Sequence, residues 1–314
     1  MDHDPLAVPE RLHAWHREYW GEAAQAWVDA APGVVARLLD AWALELDGPT
    51  THGAVGWIVP VRRSDGGAAV LKVQPVDDET VGEPVALRTW DGDGAVRLLA
   101  HDEASGAMLL ERLDAARSLE ALPVPDALDV IGGLLGRLHR HAAPAGVPLR
   151  SLAAIGARVL DAAPRAAAPD AGWRAVLDGC AGALAGVLPE PGHRFLHWDL
   201  HYTNVLAPLA GTPAAERGDW LAIDPKPLVG DPCYELLAAV HNRWEEAVAT
   251  GDPERELLRR FDQLTEVASL DRDRAAAWTL GRCLTELLWV LEGHEAWFVE
   301  PDLAVARALL ARRG

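Results

Sequence analysis

The sequence is poor in cysteine and in basic charge, and both shortages exclude classes of protein. Its three cysteines, Cys180, Cys233 and Cys283, stand far apart, without a Cys-x-x-Cys pair or a His/Cys spacing typical of zinc ligands. Lysine and arginine number 29 against 47 aspartates and glutamates, a formal net charge of −18. Because nucleic acids and anionic membranes attract positive proteins, neither is expected as a partner. The acidic balance is compatible with a cationic small molecule, but on charge alone it favours an ordinary acidic soluble protein.

The sequence also predicts neither a signal peptide nor a transmembrane segment. The N-terminus, Met1-Asp2-His3-Asp4, is acidic and lacks the apolar core of a signal peptide, and no apolar run is long enough to span a bilayer. With isolated cysteines as well, we expect a cytoplasmic protein. The 314 residues, 50% of them hydrophobic, suffice for one large or two modest domains.

The first part of the chain predicts helices followed by an antiparallel sheet. Apolar residues recur at three- and four-residue intervals over 8–45, and Pro32-Gly33 is expected to divide this helical stretch. Strand character begins near Leu44, and a hairpin turn is predicted at Ser64-Asp65-Gly66-Gly67. Further strands are expected at 55–61, 68–74, 95–100 and 107–111. About five strands with one helix against them form the predicted N-terminal lobe, residues 1–112.

Residues 113–314 predict a mainly helical C-terminal lobe. One helix follows Pro125-Asp126, and another is expected to open at Gly230-Asp231-Pro232 and to run through Trp244. The remaining helices are predicted at about 149–162, 171–188, 253–268, 272–293 and 301–312. The expected fold class is therefore α+β, with a sheet-rich first lobe and a helical second lobe.

A lysine interrupts one of the apolar strands of the first lobe. Lys72 is costly at such a position unless it meets an anion, so it either lies at a sheet edge or holds a carboxylate or phosphate. Glu83, on the apolar side of the next helix, is the preferred partner, with Glu79 second. Gly53 and Gly56 form a turn whose backbone amides could approach phosphates, although this pattern is weak alone.

Two apolar strands of the second lobe end in polar residues. The stretch from Phe195 to Leu206 carries Asp199 and Asn204, and the strand starting at Trp220 ends on Asp224. Such a cluster of carboxylate and amide oxygens suits a hard cation, or a hydroxyl that must lose a proton. Lys226, between two prolines, is predicted either to contact phosphate or to lie on the surface.

The order of these parts matches the phosphoryl-transfer template of protein kinases. A glycine turn, a lysine, a glutamate, an H-x-D-(x)4-N segment and a strand-end aspartate follow one another along the chain. On this template Asp199 accepts the proton of a substrate hydroxyl, and Asn204 and Asp224 bind Mg²⁺.

The catalytic segment also resembles a known family. His197-Trp198-Asp199-Leu200-His201-Tyr202-Thr203-Asn204-Val205-Leu206 is similar to the motif of the aminoglycoside phosphotransferases. Ala222-Ile223-Asp224-Pro225-Lys226-Pro227 and Gly230-Asp231-Pro232 narrow the resemblance to the branch of streptomycin 6-kinases and hydroxyurea phosphotransferases. Cys233-Tyr234-Glu235 departs from the Phe-Asp expected after Gly-Asp-Pro, although Glu235 keeps the acid. The resemblance covers most of the chain and is least specific over its last 60 residues.

The resemblance implies a bilobal, protein-kinase-like fold and transfer of a phosphoryl group from ATP, with Mg²⁺, to a hydroxyl. It makes Asp199 the catalytic residue, places Lys72 on the nucleotide phosphates and makes residues 109–113, with Glu111 and Leu113, the hinge that meets the adenine. His197 is expected to be structural, and GTP stays open as an alternative nucleotide.

The sequence predicts the acceptor molecule less specifically than it predicts the reaction. A polycationic aminocyclitol needs carboxylates, and guanidinium groups of streptomycin suit carboxylate pairing and stacking on tryptophan. The candidate residues are Trp198, Tyr202, Glu235, Glu245, Glu246, Glu286, Glu292, Glu295, Trp244, Trp278, Trp289 and Trp297.

The leading hypothesis is thus an antibiotic-resistance kinase that phosphorylates an aminoglycoside such as streptomycin. A second hypothesis keeps the chemistry but takes hydroxyurea or another small metabolite as acceptor. A nucleotide-binding regulator without transfer activity is disfavoured because Lys72, Asp199, Asn204 and Asp224 are all present. A metal-dependent hydrolase is disfavoured because no second His/Asp cluster is found in the sequence.

Overall fold

The computed structural model describes residues 6–53, 55–293 and 298–313, which fall into two compact units. The first unit comprises residues 1–114 together with 207–219, and the second comprises 115–206 and 220–314. The sequence pattern gave no sign that 207–219, which lies between the two motif strands, packs with the N-terminal part of the chain.

Helices and an antiparallel sheet make up the first unit. Its elements are α1 (Glu10–Trp20), α2 (Glu22–Ala41), β1 (Leu44–Leu46), β2 (Thr51–His52), β3 (Trp57–Arg63), β4 (Ala68–Val73), α3 (Glu83–Trp90), β5 (Leu98–Asp102) and β6 (Ala107–Glu111). The strands lie in the order β1-β3-β4-β6-β5, with β2 beside β3, and each pairing is antiparallel. The predicted turn between β3 and β4 is present, with Gly66 at a φ of +84°.

The expected break at Pro32-Gly33 is wrong, because α2 runs through Pro32. The chain turns instead at Gly21, whose φ of +58° and ψ of −137° are open mainly to glycine. Ala31 and Val35, on either side of Pro32, are 1% and 0% exposed in the core against the sheet. This burial outweighs the one backbone hydrogen bond that Pro32 cannot donate.

The second unit is mainly helical. Its elements are β7 (Leu113–Ser118), which begins in the first unit, α4 (Val124–Leu138), β8 (Arg150–Ser151), α5 (Leu152–Ala162), α6 (Ala171–Val187), β9 (Arg194–Leu196), β10 (Val205–Pro208), β11 (Leu221–Ala222), β12 (Leu228–Gly230), α7 (Leu237–His241), α8 (Trp244–Ala249), α9 (Pro253–Val267), α10 (Arg272–Leu291) and α11 (Val299–Arg313). Helix α10 packs on α6 and α11. No helix among the described residues is long and apolar enough to cross a membrane.

The single helix expected between Gly230 and Trp244 is wrong, because the chain forms α7 and α8 with a break at Arg243. Arg243 has a left-handed φ of +54°. The guanidinium of Arg260, 0% exposed, donates to the carbonyl groups of Val240, Asn242 and Arg243 at 3.2, 2.7 and 3.3 Å. A continuous helix would occupy these carbonyls with its own N–H groups, so the buried arginine stabilises the break.

Short strands hold the ends of the motif segments. β10 pairs antiparallel with β11, with Val205 opposite Ala222, and β12 pairs with β9, with Leu228 opposite Leu196. The loop from His197 to Asn204 therefore leaves one sheet and enters another. Both of its ends are fixed by strand pairing, which restricts where its polar side chains can lie.

Candidate active site

The lysine predicted to meet an anion does so inside the first unit. Lys72 on β4 is 5% exposed, and its Nζ lies 2.8 Å from both Oε1 and Oε2 of Glu83 at the start of α3. Gln74 Nε2 donates to Glu83 Oε2 at 2.7 Å. The preferred partner of Lys72 is thus present. A buried ammonium held by one carboxylate is suited to a second anion, such as a phosphate.

The glycine turn lies against this ion pair. Gly53 N–H donates to Gly56 O at 2.9 Å, which closes the turn between β2 and β3. A Cβ at Gly56 would lie 3.3 Å from Lys72 Cε, so a side chain there would press on the lysine.

The sequence did not predict one contact that supports this turn. His16 of α1, 0% exposed, has its Nε2 2.8 Å from Val55 O. Helix α1 therefore supports the turn as well as the core.

Glu111, predicted as a hinge residue, uses its carboxylate to tie segments of the first unit together. Its Oε1 accepts from Arg97 N–H at 2.7 Å and from Arg217 Nη2. Arg217 also donates to Gly92 O at 2.8 Å and to Ala95 O at 3.2 Å. Leu113, the other hinge candidate, is 7% exposed. No sequence signal pointed to Arg217, because its partners lie more than a hundred residues earlier.

The predicted scaffold role of His197 is confirmed. Its Nε2–H donates to Ile223 O at 3.0 Å, and its Nδ1 accepts from Asp199 N–H at 3.3 Å. The ring is 0% exposed, and burial is the main reason that the pKa of His197 is lowered. A neutral imidazole therefore links the loop to the segment that carries Asp224.

Basic side chains lie around the carboxylate of Asp199. Lys226 Nζ lies 3.4 Å from Oδ2, and His201 Nε2 lies 3.9 Å from Oδ1. Burial alone raises the pKa of Asp199, but Lys226, His201 and Arg282 together outweigh it and hold the pKa below its ordinary value. Asp199 is therefore ionised at neutral pH and can accept a hydrogen bond from a hydroxyl.

Trp198, which precedes Asp199, has an unusual backbone conformation that several contacts hold in place. It adopts a left-handed φ of +70°, a costly conformation for a bulky residue. Its backbone is held on both sides, since the N–H donates to Glu235 Oε1 at 2.7 Å and the carbonyl accepts from Arg282 Nη1 at 3.0 Å. The guanidinium carbons of Arg282 and Arg150 lie 4.1 and 4.4 Å from the centre of its ring. Cation–π contacts and these hydrogen bonds stabilise the strained backbone.

Asn204 and Asp224 have the chemistry expected of magnesium ligands. Asn204 Nδ2 donates to Asp199 O at 2.9 Å, which leaves the amide oxygen as the free acceptor of that side chain. Ile223 N–H donates to Asn204 O at 2.9 Å, so backbone pairing sets Asp224 beside Asn204. Asp224 has a left-handed φ of +57°, and Asp tolerates this conformation better than most residues.

An amide oxygen and a carboxylate next to phosphates form the usual protein share of a Mg²⁺ site, because Mg²⁺ keeps several waters. Among the described residues, no group of three or more His, Cys, Asp or Glu side chains is arranged to hold a metal ion. Asn204 and Asp224 supply one amide oxygen and one carboxylate, which match the protein part of such a site.

Two acceptor candidates, Tyr202 and Glu235, are buried in the structure. Tyr202 is 1% exposed, its OH donates to Ala239 O at 3.1 Å, and burial raises its pKa to about 12. Glu235 is 1% exposed, and its Oε2 lies 3.0 Å from His139 Nε2. The polar atoms of both side chains form hydrogen bonds inside the second unit.

The other acceptor candidates differ in exposure. Trp278 is 0% exposed and belongs to the core, whereas Trp244 is half-buried. Glu286 is half-buried and pairs with Arg282 at 2.8 Å. Trp289, Glu245, Glu246 and Glu292 are exposed. Glu295 and Trp297 lie outside the described residues.

Comparisons with solved structures concern the fold. In overall fold the chain is similar to a choline kinase from Streptococcus pneumoniae, with a TM-score of 0.55 and 14% identity over 88% of this chain and 98% of that one. It is also similar to a macrolide 2'-phosphotransferase from Brachybacterium faecium, with a TM-score of 0.54 and 18% identity over 88% and 97%. The predicted α+β, protein-kinase-like fold is confirmed.

Sequence relatives are much more similar. A streptomycin 6-kinase of Streptomyces glaucescens is 47% identical over 307 residues, 97% of each chain. A hydroxyurea phosphotransferase of Kitasatospora aureofaciens is 47% identical over 314 residues, 98% of this chain and 87% of that one. The sequence profile of the aminoglycoside/hydroxyurea antibiotic resistance kinases matches residues 41–293. On this match and these nearly full-length relatives, the chain belongs to the aminoglycoside/hydroxyurea antibiotic resistance kinase family.

Proposed function

We propose that the protein transfers the γ-phosphoryl group of ATP to a hydroxyl of a small molecule, with streptomycin as the first candidate acceptor. The observation that carries this proposal is the fixed position of Asp199, ionised, beside Asn204 and in a loop held by His197. Family membership sets the class of reaction, and the loop supplies the group that the reaction needs.

Asp199 would hold the acceptor hydroxyl through a hydrogen bond to a carboxylate oxygen. Because its pKa lies below the ordinary value, Asp199 is a weak base toward a neutral alcohol. The proton therefore moves to Asp199 late, when the oxygen–phosphorus bond is forming and the hydroxyl has become more acidic. Before that point Asp199 orients the hydroxyl, so that its oxygen is aimed at the phosphorus.

The nucleotide is assigned to the first unit. We assign contact with the phosphates to Lys72 and the neighbouring turn of Gly53 and Gly56, and contact with the base to the backbone at 109–113. The buried ion pair with Glu83 supports this, since it fixes the position of an ammonium group in the first unit. When bound, Mg²⁺ neutralises charge on the phosphates, and Asn204 and Asp224 would hold it. The proposed location is the cytoplasm, where both ATP and Mg²⁺ are supplied.

Two acceptors have equal support from the relatives. Streptomycin 6-kinases and a hydroxyurea phosphotransferase are 46% to 47% identical to this chain. The formal net charge of −18 favours the cationic acceptor. Half-buried Glu286 and Trp244 remain the proposed contacts for its guanidinium groups. Hydroxyurea is the second candidate, by the same transfer chemistry.

An acceptor panel with γ-labelled ATP tests the proposal. The purified protein is incubated with Mg²⁺, ATP or GTP, and streptomycin, hydroxyurea or other hydroxyl compounds, and phosphorylated products are identified by mass spectrometry. We expect product with streptomycin, and a loss of about 10³-fold in turnover for Asp199→Asn. The Asn side chain keeps the shape but cannot accept the proton.

The other outcomes separate the alternatives. Product with hydroxyurea alone would transfer the assignment to the second acceptor. ATP binding by calorimetry, with no product from any panel member, would replace the enzyme by a nucleotide-binding regulator. Equal turnover by the wild type and Asp199→Asn would remove Asp199 from the chemistry.

A further inference from the structure

We propose that Lys226 is a further residue of the phosphoryl-transfer site. Its ammonium group positions the Asp199 carboxylate and contacts the phosphoryl group that is transferred. This inference rests on the function proposed above. The first indication is compositional. The chain contains two lysines, Lys72 and Lys226, although lysine and arginine together number 29. Arginine therefore supplies the other basic side chains, and each lysine lies beside a functional carboxylate.

The backbone of Lys226 is fixed from both sides. Its N–H donates to His197 O at 3.1 Å, and its carbonyl accepts from Arg150 Nη2 at 2.8 Å. Pro225 and Pro227 flank it, so the backbone there is restricted further. A lysine on an ordinary surface loop has no such restraint. The start of this side chain is therefore set as precisely as the catalytic loop that it contacts.

The side chain leads from this fixed point to the carboxylate. Lys226 Nζ lies 3.4 Å from Asp199 Oδ2 and 5.8 Å from the centre of the Trp198 ring. The Lys226 and Asp199 side chains are 31% and 22% exposed, so an incoming ligand can reach both. An exposed ion pair alone contributes little to stability. Holding the Lys226 side chain in one position costs free energy that such an ion pair does not return. A role for its charge in the reaction would account for that cost.

The other basic side chains near Asp199 are less suited to meet an anionic ligand. Arg282, with a side chain 6% exposed, already donates to Trp198 O and to Glu286 Oε1. His201 Nε2 is farther from Asp199, at 3.9 Å, and accepts from Asn204 Nδ2 at 3.2 Å. Lys226 combines a short distance to Asp199 with exposure, so it is the cation that an anionic ligand at Asp199 would meet.

The positive charge of Lys226 has a role in phosphoryl transfer. The acceptor oxygen forms a bond to phosphorus while the bond from phosphorus to the bridging oxygen breaks, and that electron pair leaves with ADP. The hydroxyl proton passes to Asp199. Negative charge is spread over the other oxygens of the phosphoryl group during this exchange. An ammonium fixed beside Asp199 stabilises that charge.

The small number of lysines allows a direct test of proximity. An ATP derivative that carries an acyl group on its γ-phosphate acylates nearby amines: the amine nitrogen forms an amide with the acyl carbon, and ATP leaves. We expect peptide mass spectrometry to find the label on Lys226, and excess ATP to suppress it. Label on Lys226 that ATP does not suppress, or label on Lys72 alone, overturns the proposed contact. This readout needs no acceptor, so it stands even if streptomycin is not the substrate.

A second test removes and restores the ammonium in one polypeptide. Lys226→Cys is assayed before and after alkylation with 2-bromoethylamine, which rebuilds a lysine-like side chain. Burial raises the pKa of Cys180 to about 12 and the pKa of Cys283 well above its ordinary value, and the third native cysteine is also buried, so these thiols react slowly. The wild type treated in the same way is the control.

With the acceptor identified by the panel, we expect Lys226→Cys to lower kcat about 100-fold with little change in acceptor KM. Aminoethylation should restore kcat to within about threefold of the treated wild type. If Lys226→Cys and Lys226→Met keep kcat within about threefold of wild type, Lys226 is a surface ion pair and the proposal fails. Loss of kcat that aminoethylation does not repair also overturns it, because the damage then lies elsewhere.

Discussion

Lys72 Nζ lies 2.8 Å from both carboxylate oxygens of Glu83, with side chains that are 7% and 1% exposed. Removing one partner leaves the other charge buried without compensation. We expect Lys72→Met to abolish detectable phosphoryl transfer and to lower the free energy of unfolding by about 3 kcal/mol. Urea unfolding and the product assay measure the two effects separately.

A double variant separates stability from chemistry at the same pair. Lys72→Met with Glu83→Gln removes both charges, and the amide oxygen introduced at position 83 can still accept from Gln74, as Glu83 does in the wild type. We expect this variant to regain most of the lost stability, because no buried charge is left alone, while activity stays absent. Recovery of activity together with stability would show that Lys72 is only structural.

The buried histidine of the catalytic loop predicts a pH dependence of stability. Burial, the largest cause, lowers the pKa of His197 from its ordinary 6.5. The unfolded chain therefore binds a proton at higher pH than the native one, and stability present above about pH 6.5 is lost as the pH falls below it. We expect the free energy of unfolding to decrease toward acid by up to about 1.4 kcal/mol per pH unit for this residue. Urea titrations at several pH values measure the slope.

A glutamine at position 197 is the matched control for that slope. The Gln amide can donate to Ile223 O, as His197 Nε2 does at 3.0 Å, but it does not titrate. His197→Gln should be less stable than the wild type near neutral pH, and its stability should depend less on pH below about pH 6.5. An unchanged slope would assign the acid sensitivity to other buried histidines, such as His16.

The features that could be predicted from the sequence are those that a local pattern of residues indicates. The loop from His197 to Asn204 carries its own pattern, and the choice of Glu83 for Lys72 followed from which side of a helix was apolar. The break at Arg243 and the supports of Trp198 could not be predicted in this way. They depend on Arg260 and Arg282, buried arginines whose partners lie on other elements. A charged side chain read from sequence is expected on the surface, so such contacts need coordinates.

Arg217 links the segment 207–219 to earlier parts of the first unit. Arg217 donates to Glu111 and to the carbonyl groups of Gly92 and Ala95, and its side chain is 16% exposed. We expect Arg217→Ala to lower the free energy of unfolding by about 2 kcal/mol, because the Glu111 carboxylate and both carbonyls lose a donor. Urea unfolding measures this loss, and limited proteolysis within 207–219 should become faster.

Arg165, an exposed arginine that also forms an ion pair with a carboxylate, is the control for Arg217. Arg165 and Asp161 are 2.6 Å apart, but their side chains are 68% and 74% exposed. Arg165→Ala should therefore leave the unfolding midpoint unchanged, since water screens and replaces this pair. Equal effects at both positions would mean that Arg217 contributes no more than a surface charge.

Glu235 distinguishes a structural acid from an acid that binds the acceptor. Its Oε1 accepts from Trp198 N–H at 2.7 Å, and its Oε2 lies 3.0 Å from His139 Nε2. We expect Glu235→Ala to lower the free energy of unfolding by about 2 kcal/mol and to lower kcat at least tenfold, while acceptor KM changes by less than about twofold. Loss of the hydrogen bond to Trp198 displaces Asp199, whereas loss of an acceptor contact would raise KM. Exposed Glu245→Gln is the control, and a large rise in KM for Glu235→Ala alone would restore Glu235 to the acceptor site.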